Sequence, residues 1–185
     1  MQRRMAWRNE RRLYKRKCDL TGKDIISIIS PDRPYKVYDR EVWWSDQWDP
    51  LSYGKAYDFS KPFFNQFDEL LKRVPLVSVF NSNMVNSEYA NHSFEAQNCY
   101  LLFASAWNEN VLYSNGAIRC KDSKDLLECQ ENELCYGNIS SQKCFRVFFS
   151  QNVSDCRDSF FLYDCKNCVN CFGCGNLRIK SHCMF

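Results

Sequence analysis

The sequence predicts a mainly β protein. A small cysteine-ladder β-solenoid of about 12 residues per repeat follows a degenerate zinc-ribbon-like hairpin and a short amphipathic helix. Three observations carry this reading. Eleven of the 12 cysteines fall between Cys99 and Cys183. The gaps between those eleven run 21, 9, 6, 9, 12, 9, 3, 3, 3 and 9, every one a multiple of three. Short phrases also recur, such as Asn98-Cys99-Tyr100, Leu134-Cys135-Tyr136, Lys143-Cys144-Phe145, Asn167-Cys168-Val169 and His182-Cys183-Met184. With Val111, Leu126 and Cys156, their central residues are spaced by 12 on average. A dozen residues is too short for a helix pair and suits one coil, with Asn, Asp, Ser and Gly at its corners.

Inside a narrow coil, reduced cysteine behaves as a small apolar residue. Neighbouring coils sit about 4.8 Å apart, so inward cysteines form a ladder. Three chemistries suit such a ladder. The first is reduced packing. The second is disulfides between adjacent coils, whose Cα separation matches the usual roughly 4.4–6.8 Å. The third is metal binding, with its best case in Cys165-x2-Cys168-x2-Cys171-x2-Cys174. CxxC spacing lets two thiolates reach one ion, as in tetrahedral zinc sites. The run also approaches a bacterial ferredoxin cluster motif, but its last gap is one residue short and Gly175 stands where that motif has proline. Because the multiples of three continue on both sides, repeat packing is favoured. No resident cofactor is expected, and zinc is the candidate if the run binds metal.

The charge is uneven. Residues 1–17 carry a net +7 and the remainder −4. Residues 5–17 read as a basic helix, whose plain role is a solvated lead-in. Its functional reading is phosphate binding through Arg8, Arg11, Arg12, Lys15 and Arg16. Cys18-Asp19-Leu20-Thr21-Gly22-Lys23 follows, then strand-like runs at 25–29 and 35–44 around a turn from Pro31 to Pro34. This region resembles a zinc ribbon stripped of ligands, with Cys18, Thr21, Asp39 and Val42 at the four ligand positions. A stable structural site needs four good ligands, so the knuckle is expected to be metal-free. Trp43, Trp44 and Trp48 are expected to replace the metal with packing.

Ser60 reads as an N-cap and Pro62 as a first-turn residue. Phe63, Phe64, Phe67, Leu70, Leu71 and Val74 then follow helical spacing until Pro75. That face is expected to bury against the tryptophans or the first coil; stacking on single-stranded bases is the alternative. The chain thus divides into a basic helix (1–17), a ribbon-like and aromatic–helical region (18–80) and the solenoid (81–185).

The phrases Arg8 to Asp19, Val42 to Pro50, Asp58 to Phe64, Asn86-Ser87-Glu88-Tyr89 and Asn98-Cys99-Tyr100-Leu101 resemble an uncharacterised bacterial family known mostly from environmental genomes. Its members have a zinc-ribbon-like front and a cysteine-rich repeat behind. The resemblance covers nearly the whole chain. It implies architecture rather than chemistry, since the family carries no established activity. It also implies a piece of a longer pattern: relatives have a CPxCR-type knuckle ahead of Gln2-Arg3-Arg4 and further chain after the last repeat.

Function classes narrow accordingly. No apolar run approaches the roughly 20 residues of a membrane span, and the arginine-rich start lacks a signal-peptide core. A cytoplasmic location is expected, and the sequons at Asn91, Asn138 and Asn152 then carry no meaning. Only two histidines occur, His92 and His182, and no phosphate loop, GxSxG or HExxH motif is present. No small-molecule substrate is indicated. The expectation is a non-enzymatic scaffold offering a solenoid surface to a protein partner. The alternative is a nucleic-acid-binding protein using the basic front, and the third is a metal or redox protein using Cys165 to Cys174.

Overall fold

The computed structural model describes residues 11–184, and the chain divides into two units, Met1–Phe80 and Asn81–Phe185. In the first unit, Tyr14–Lys17 (β1) alternates half-buried Tyr14 and Arg16 with exposed Lys15 and Lys17. That is a strand period, so this stretch is extended and not part of the expected basic helix. Residues 1–10 of that helix lie outside the described residues. β1 pairs antiparallel with Asp24–Ser27 (β2). The connecting turn closes with Cys18 N–H donating to the Lys23 carbonyl at 2.8 Å and Gly22 N–H to the Cys18 carbonyl at 2.9 Å. Gly22 has φ +72°, the left-handed region that glycine enters freely.

The hairpin therefore forms around Cys18, not between residues 25–29 and 35–44. Within 35–44 only Val37–Tyr38 (β3) is a strand, and it pairs in parallel with Leu76–Val77 (β4). Asp39 ends it by accepting the Trp43 N–H at 2.8 Å, which winds Arg40–Trp43 into a helical turn (α1). Cys18, Ile25, Val37, Tyr38 and Val42 form a small core, packed by Ile29, Trp43 and Trp48. The Trp43 indole N–H donates to the Pro75 carbonyl at 3.0 Å and that of Trp48 to the Trp43 carbonyl at 2.9 Å. Trp44 stays largely exposed.

The helix at Phe63–Arg73 (α2) ends ahead of Pro75 as its spacing predicts. Its N-cap position is Pro62 rather than Ser60, whose N–H and hydroxyl both donate to Asp58. The expected burial of its aromatic face is not observed: Phe63, Phe64 and Phe67 are all exposed. The buried residue is Gln66, whose amide holds the preceding loop. Its oxygen accepts from Asp58 N–H, and its nitrogen donates to the Asp58 and Lys61 carbonyls, all within 2.9–3.0 Å. Three loop bonds made by one polar side chain fix the helix face that points inward.

The second unit is the solenoid, with 12 residues per turn. Its parallel strands Asn81–Val85 (β5), Ala90–Gln97 (β6), Tyr100–Asn115 (β7) and Lys121–Lys124 (β8) form one sheet in that order. Phe145–Phe148 (β9) and Arg157–Phe160 (β10) pair likewise. Every partnership joins residues 12 apart, from Asn81↔Ser93 to Phe172↔Met184. Each turn is four triplets. In each triplet the first residue faces the interior, the second bridges to the next turn, and the third bends the chain. From His92 to His182 every third residue has positive φ: 45–57° for side-chain-bearing residues and 66–68° at Gly116, Gly137 and Gly173. Such a conformation costs on the order of 1–2 kcal/mol for an ordinary residue, which favours Asn, Asp and Gly at the bends. The multiples of three in the cysteine gaps are this triplet. Spacings of 9 and 15 between similar phrases are three or five triplets, so those phrases fall on different sides of the coil.

Two of the three backbone N–H groups in each triplet bond directly to neighbouring turns. Ala106 N–H donates to the Ala117 carbonyl at 3.1 Å, and Arg119 N–H to the Ala106 carbonyl at 3.0 Å. Where the inward residue one turn earlier is Ser or Asn, its side chain can meet the third N–H, that of the inward residue. Cys120 N–H donates to Asn108 Oδ1 at 2.9 Å, Cys135 N–H to Ser123 Oγ at 3.0 Å and Ser150 N–H to Asn138 Oδ1 at 3.0 Å. The same side chains return a hydrogen bond to carbonyls, as Asn138 Nδ2 does to Val147 at 2.9 Å. Buried backbone groups need such partners. Inward Ser, Asn and Cys are therefore structural donors and acceptors, interleaved with Val, Leu and Ala.

Candidate functional site

The four cysteines of the candidate metal run, Cys165, Cys168, Cys171 and Cys174, occupy the four consecutive inward positions of a single turn, one per side. All four are buried, and all twelve cysteines of the chain are unpaired. Each thiol of the run lies within hydrogen-bond reach of two backbone carbonyls. Cys165 Sγ is 3.4 Å from the carbonyls of Tyr163 and Cys174, and Cys174 Sγ is 3.4 and 3.3 Å from those of Phe172 and Cys183. A thiol aimed at a carbonyl is a hydrogen-bond donor. Burial pushes Cys165 and Cys174 up from the ordinary thiol value, Cys120 and Cys135 to about 11, and Cys144 and Cys156 to about 12. Metal ligation needs thiolates. Among the described residues, no three His, Cys, Asp or Glu side chains come close enough to hold one ion. The triplet period accounts for the CxxC spacing of the run without a metal.

The knuckle at Cys18 treats its sulfur differently. Asp39 N–H donates to Cys18 Sγ at 3.3 Å. Burial raises this thiol, but hydrogen bonds from the Thr21 side chain and from the backbone of Asp39, Thr21 and Leu20 outweigh it, and the net shift is downward. Thr21 is exposed, Asp39 pairs with Lys23 Nζ at 3.5 Å, and Val42 is buried in the core. One sulfur acceptor remains at this position, surrounded by packing.

The basic candidates separate. Arg8 lies outside the described residues. Arg11, Arg12 and Lys15 are exposed. Arg16 is turned inward, with its side chain 8% exposed; its Nη2 donates to Asp19 at 3.0 Å and to the Tyr35 carbonyl at 3.3 Å. A guanidinium held in this way is not presented to phosphate. His182 sits at an outward bend, 3.2 Å from Asn170, while Cys183 faces inward. Among the described residues, no helix is long and apolar enough to cross a membrane.

The solenoid's sides are not alike. One carries a hydrogen-bonded ladder of bend residues: Asn86 Nδ2 donates to Asn98 at 3.1 Å, Asn98 to Asn110 at 3.2 Å and Asn110 to Asp122 at 2.6 Å. The next side is aromatic. Its bridging column runs Tyr100, Leu112, Lys124, Tyr136, Phe148, Phe160, Phe172 and Met184, and its bend column adds Tyr89, Tyr113, Phe149 and Phe161. Tyr100, Tyr113, Tyr136, Phe149, Phe160, Phe161, Phe172 and Met184 are all exposed. Seven turns separate Tyr100 from Met184, about 34 Å at the usual strand spacing.

The rings pack on one another along this stripe. Phe148 and Phe160 stack with centroids 5.0 Å apart at 13°, and Phe149 and Phe161 at 5.5 Å and 11°. Tyr136–Phe149 and Phe161–Phe172 meet edge to face at 4.9 and 5.5 Å. In each stacked pair one face of each ring is covered by the ring a turn away. A platform for bases needs exposed faces at gaps a base can enter. The stripe offers instead an apolar ridge, interrupted at one turn by Lys124 and Asp125.

Sequence reasoning noted aromatics after several cysteines without assembling them into one face. Reading the aromatic positions at intervals of 12 would have found it. The sequence matches no protein-family model, and no curated protein matches it.

Proposed function

We propose that this chain is a non-enzymatic binding protein whose solenoid is a rigid platform for a protein-docking face, the aromatic stripe from Tyr100 to Met184. One observation carries the reading: a stripe about 34 Å long of exposed rings and aliphatics, held at one spacing by the coil beneath. Contiguous exposed apolar surface of this extent marks interaction sites, and aromatic residues are the ones enriched in interface cores. Rings that already stack on one another suit packing against protein side chains rather than intercalation of bases. The thiols take no part in docking, because they lie inside the coil.

The test is site-specific photocrosslinking in the full chain. A photoreactive phenylalanine analogue at Phe161, on the stripe, is expected to give a polypeptide adduct. The same probe at Gln142, on another side, is expected to give none. Nucleic-acid adducts from Phe161, or equal polypeptide labelling from both positions, overturn the reading. The nucleic-acid alternative makes its own demand, that binding weaken steeply with salt in proportion to phosphate contacts.

A further inference from the structure

Within the stripe one turn is different. Lys124 and Asp125 are the one oppositely charged pair of neighbours on this side, and both are exposed. Lys124 Nζ lies over the Tyr113 and Tyr136 rings at 5.5 and 5.6 Å. Among the described residues neither is in an ion pair, whereas on other sides Lys121 pairs with Glu109 and Arg146 with Asp158. An unpaired cation and anion side by side, in the middle of an apolar ridge, form a self-complementary mark.

Resting on the reading of the stripe as a protein-docking face, we propose that its occupant is a second copy of this chain. The two copies are related by a two-fold axis parallel to the solenoid axis. Such an axis exchanges the bridging and bend columns while keeping every turn level with its own equivalent. Lys124 then faces Asp125 of the other copy, and Asp125 faces Lys124, giving two ion pairs at one level. At the same time Phe148 meets Phe149 and Phe160 meets Phe161 across the axis. Phe172 meets Gly173, where a Cβ would find nothing within 4 Å and a ring has space. The two copies share one turn spacing, so the turns stay level along the stripe; at Gly137, opposite Tyr136, the space is already taken by Phe149, whose Cδ1 lies 2.9 Å from where a Cβ would stand. An antiparallel pairing centred on this turn would set Lys124 against Lys124. The arrangement is isologous and closed, as a stable dimer requires.

Sedimentation of the full chain over a concentration series tests this. The expected result is a dimer that dissociates on dilution. Lys124→Asp alone and Asp125→Lys alone each place like charges opposite one another at two points. Each is expected to weaken association at least about tenfold, since like-charge juxtaposition at an interface costs several kcal/mol. The double variant Lys124→Asp/Asp125→Lys restores both pairs and is expected to recover the dimer. Both positions are exposed, and circular dichroism checks that each variant keeps its fold. A monomer at every concentration overturns the proposal, as does a double variant no better than the singles. Photocrosslinking from Phe161 separates the two readings. An adduct of twice the chain mass supports the second copy. An adduct with another polypeptide from a monomeric chain overturns the dimer and leaves the docking face. No adduct at all overturns both.

Discussion

Cys18 and the solenoid cysteines are the same residue put to opposite uses. In the first unit the backbone closes around Cys18 so that N–H groups of Asp39, Thr21 and Leu20 and the Thr21 side chain converge on its sulfur. There the sulfur is an acceptor, and its pKa falls. In the solenoid the inward thiols face carbonyls two residues back and nine ahead, as Cys156 Sγ does at 3.3 and 3.7 Å. There the sulfur donates to carbonyls, and at Cys99, Cys120, Cys135, Cys144, Cys156, Cys165 and Cys174 burial dominates and the pKa rises. Burial alone does not decide a thiol's chemistry, because both sets are buried. The balance does: in the coil burial outweighs the backbone N–H groups that reach the sulfur, and at Cys18 those groups together with the Thr21 side chain outweigh burial.

The largest expected effect that would break this comparison is alkaline unfolding of the solenoid. A folded-state pKa above the unfolded one, near 8.5 for a thiol, means that the native state holds its proton more tightly. Stability is then complete below that value and falls as pH rises toward the folded pKa. For Cys144 and Cys156, both near 12, the window is about pH 9 to 12. Each such thiol removes up to about 1.4 kcal/mol per pH unit there. Urea unfolding followed by circular dichroism should show the loss, and Cys144→Ser/Cys156→Ser should reduce it. Cys18 has the opposite sign: its contribution is present above the ordinary thiol value and is lost as pH falls through its lowered pKa. A solenoid equally stable at pH 8 and 11 would remove the donor assignment.

Next in size is Asn138→Ala. It strips the partner from the Ser150 N–H and from one bond of the Val147 carbonyl, both inside the coil. The expected cost is about 3 kcal/mol, read as a lower urea midpoint at unchanged slope. Leu134→Asn should work the other way. Leu134 interrupts the bend-residue ladder after Asp122 and sits at φ 54°. Asparagine accepts that conformation more readily and can bond along the column, for a gain of about 1 kcal/mol. The smallest effect belongs to Cys156→Ser. If inward cysteine and serine share one structural role, the change in urea midpoint stays within about 1 kcal/mol. A loss several times larger would show that cysteine supplies something serine cannot.

Much of the solenoid was legible in the chain. The multiples of three between cysteines report the inward position of the triplet, and the mean spacing of 12 reports the turn. The first unit was less legible. Tyr14-Lys15-Arg16-Lys17 reads as part of a basic helix when charge is counted and as a strand when burial alternates. Pairing with Asp24–Ser27 decides between them. The aromatic spacing of Phe63, Phe64 and Phe67 specified a helix but not its orientation, which the three hydrogen bonds of Gln66 fix.

The sequence by itself determined which residues enter the coil, because facing inward at every third position is a local consequence of bends spaced three apart. Tertiary structure alone decided what those positions do. Stacking placed the four CxxC thiols on four sides of one turn and aimed them at carbonyls. It also gathered aromatics 12 residues apart into one ridge, and in the first unit Asp19 and the Tyr35 carbonyl drew Arg16 away from solvent. These outcomes depend on contacts between distant turns or separate strands, which a chain read residue by residue does not display; the aromatic column becomes legible only once the 12-residue turn is known.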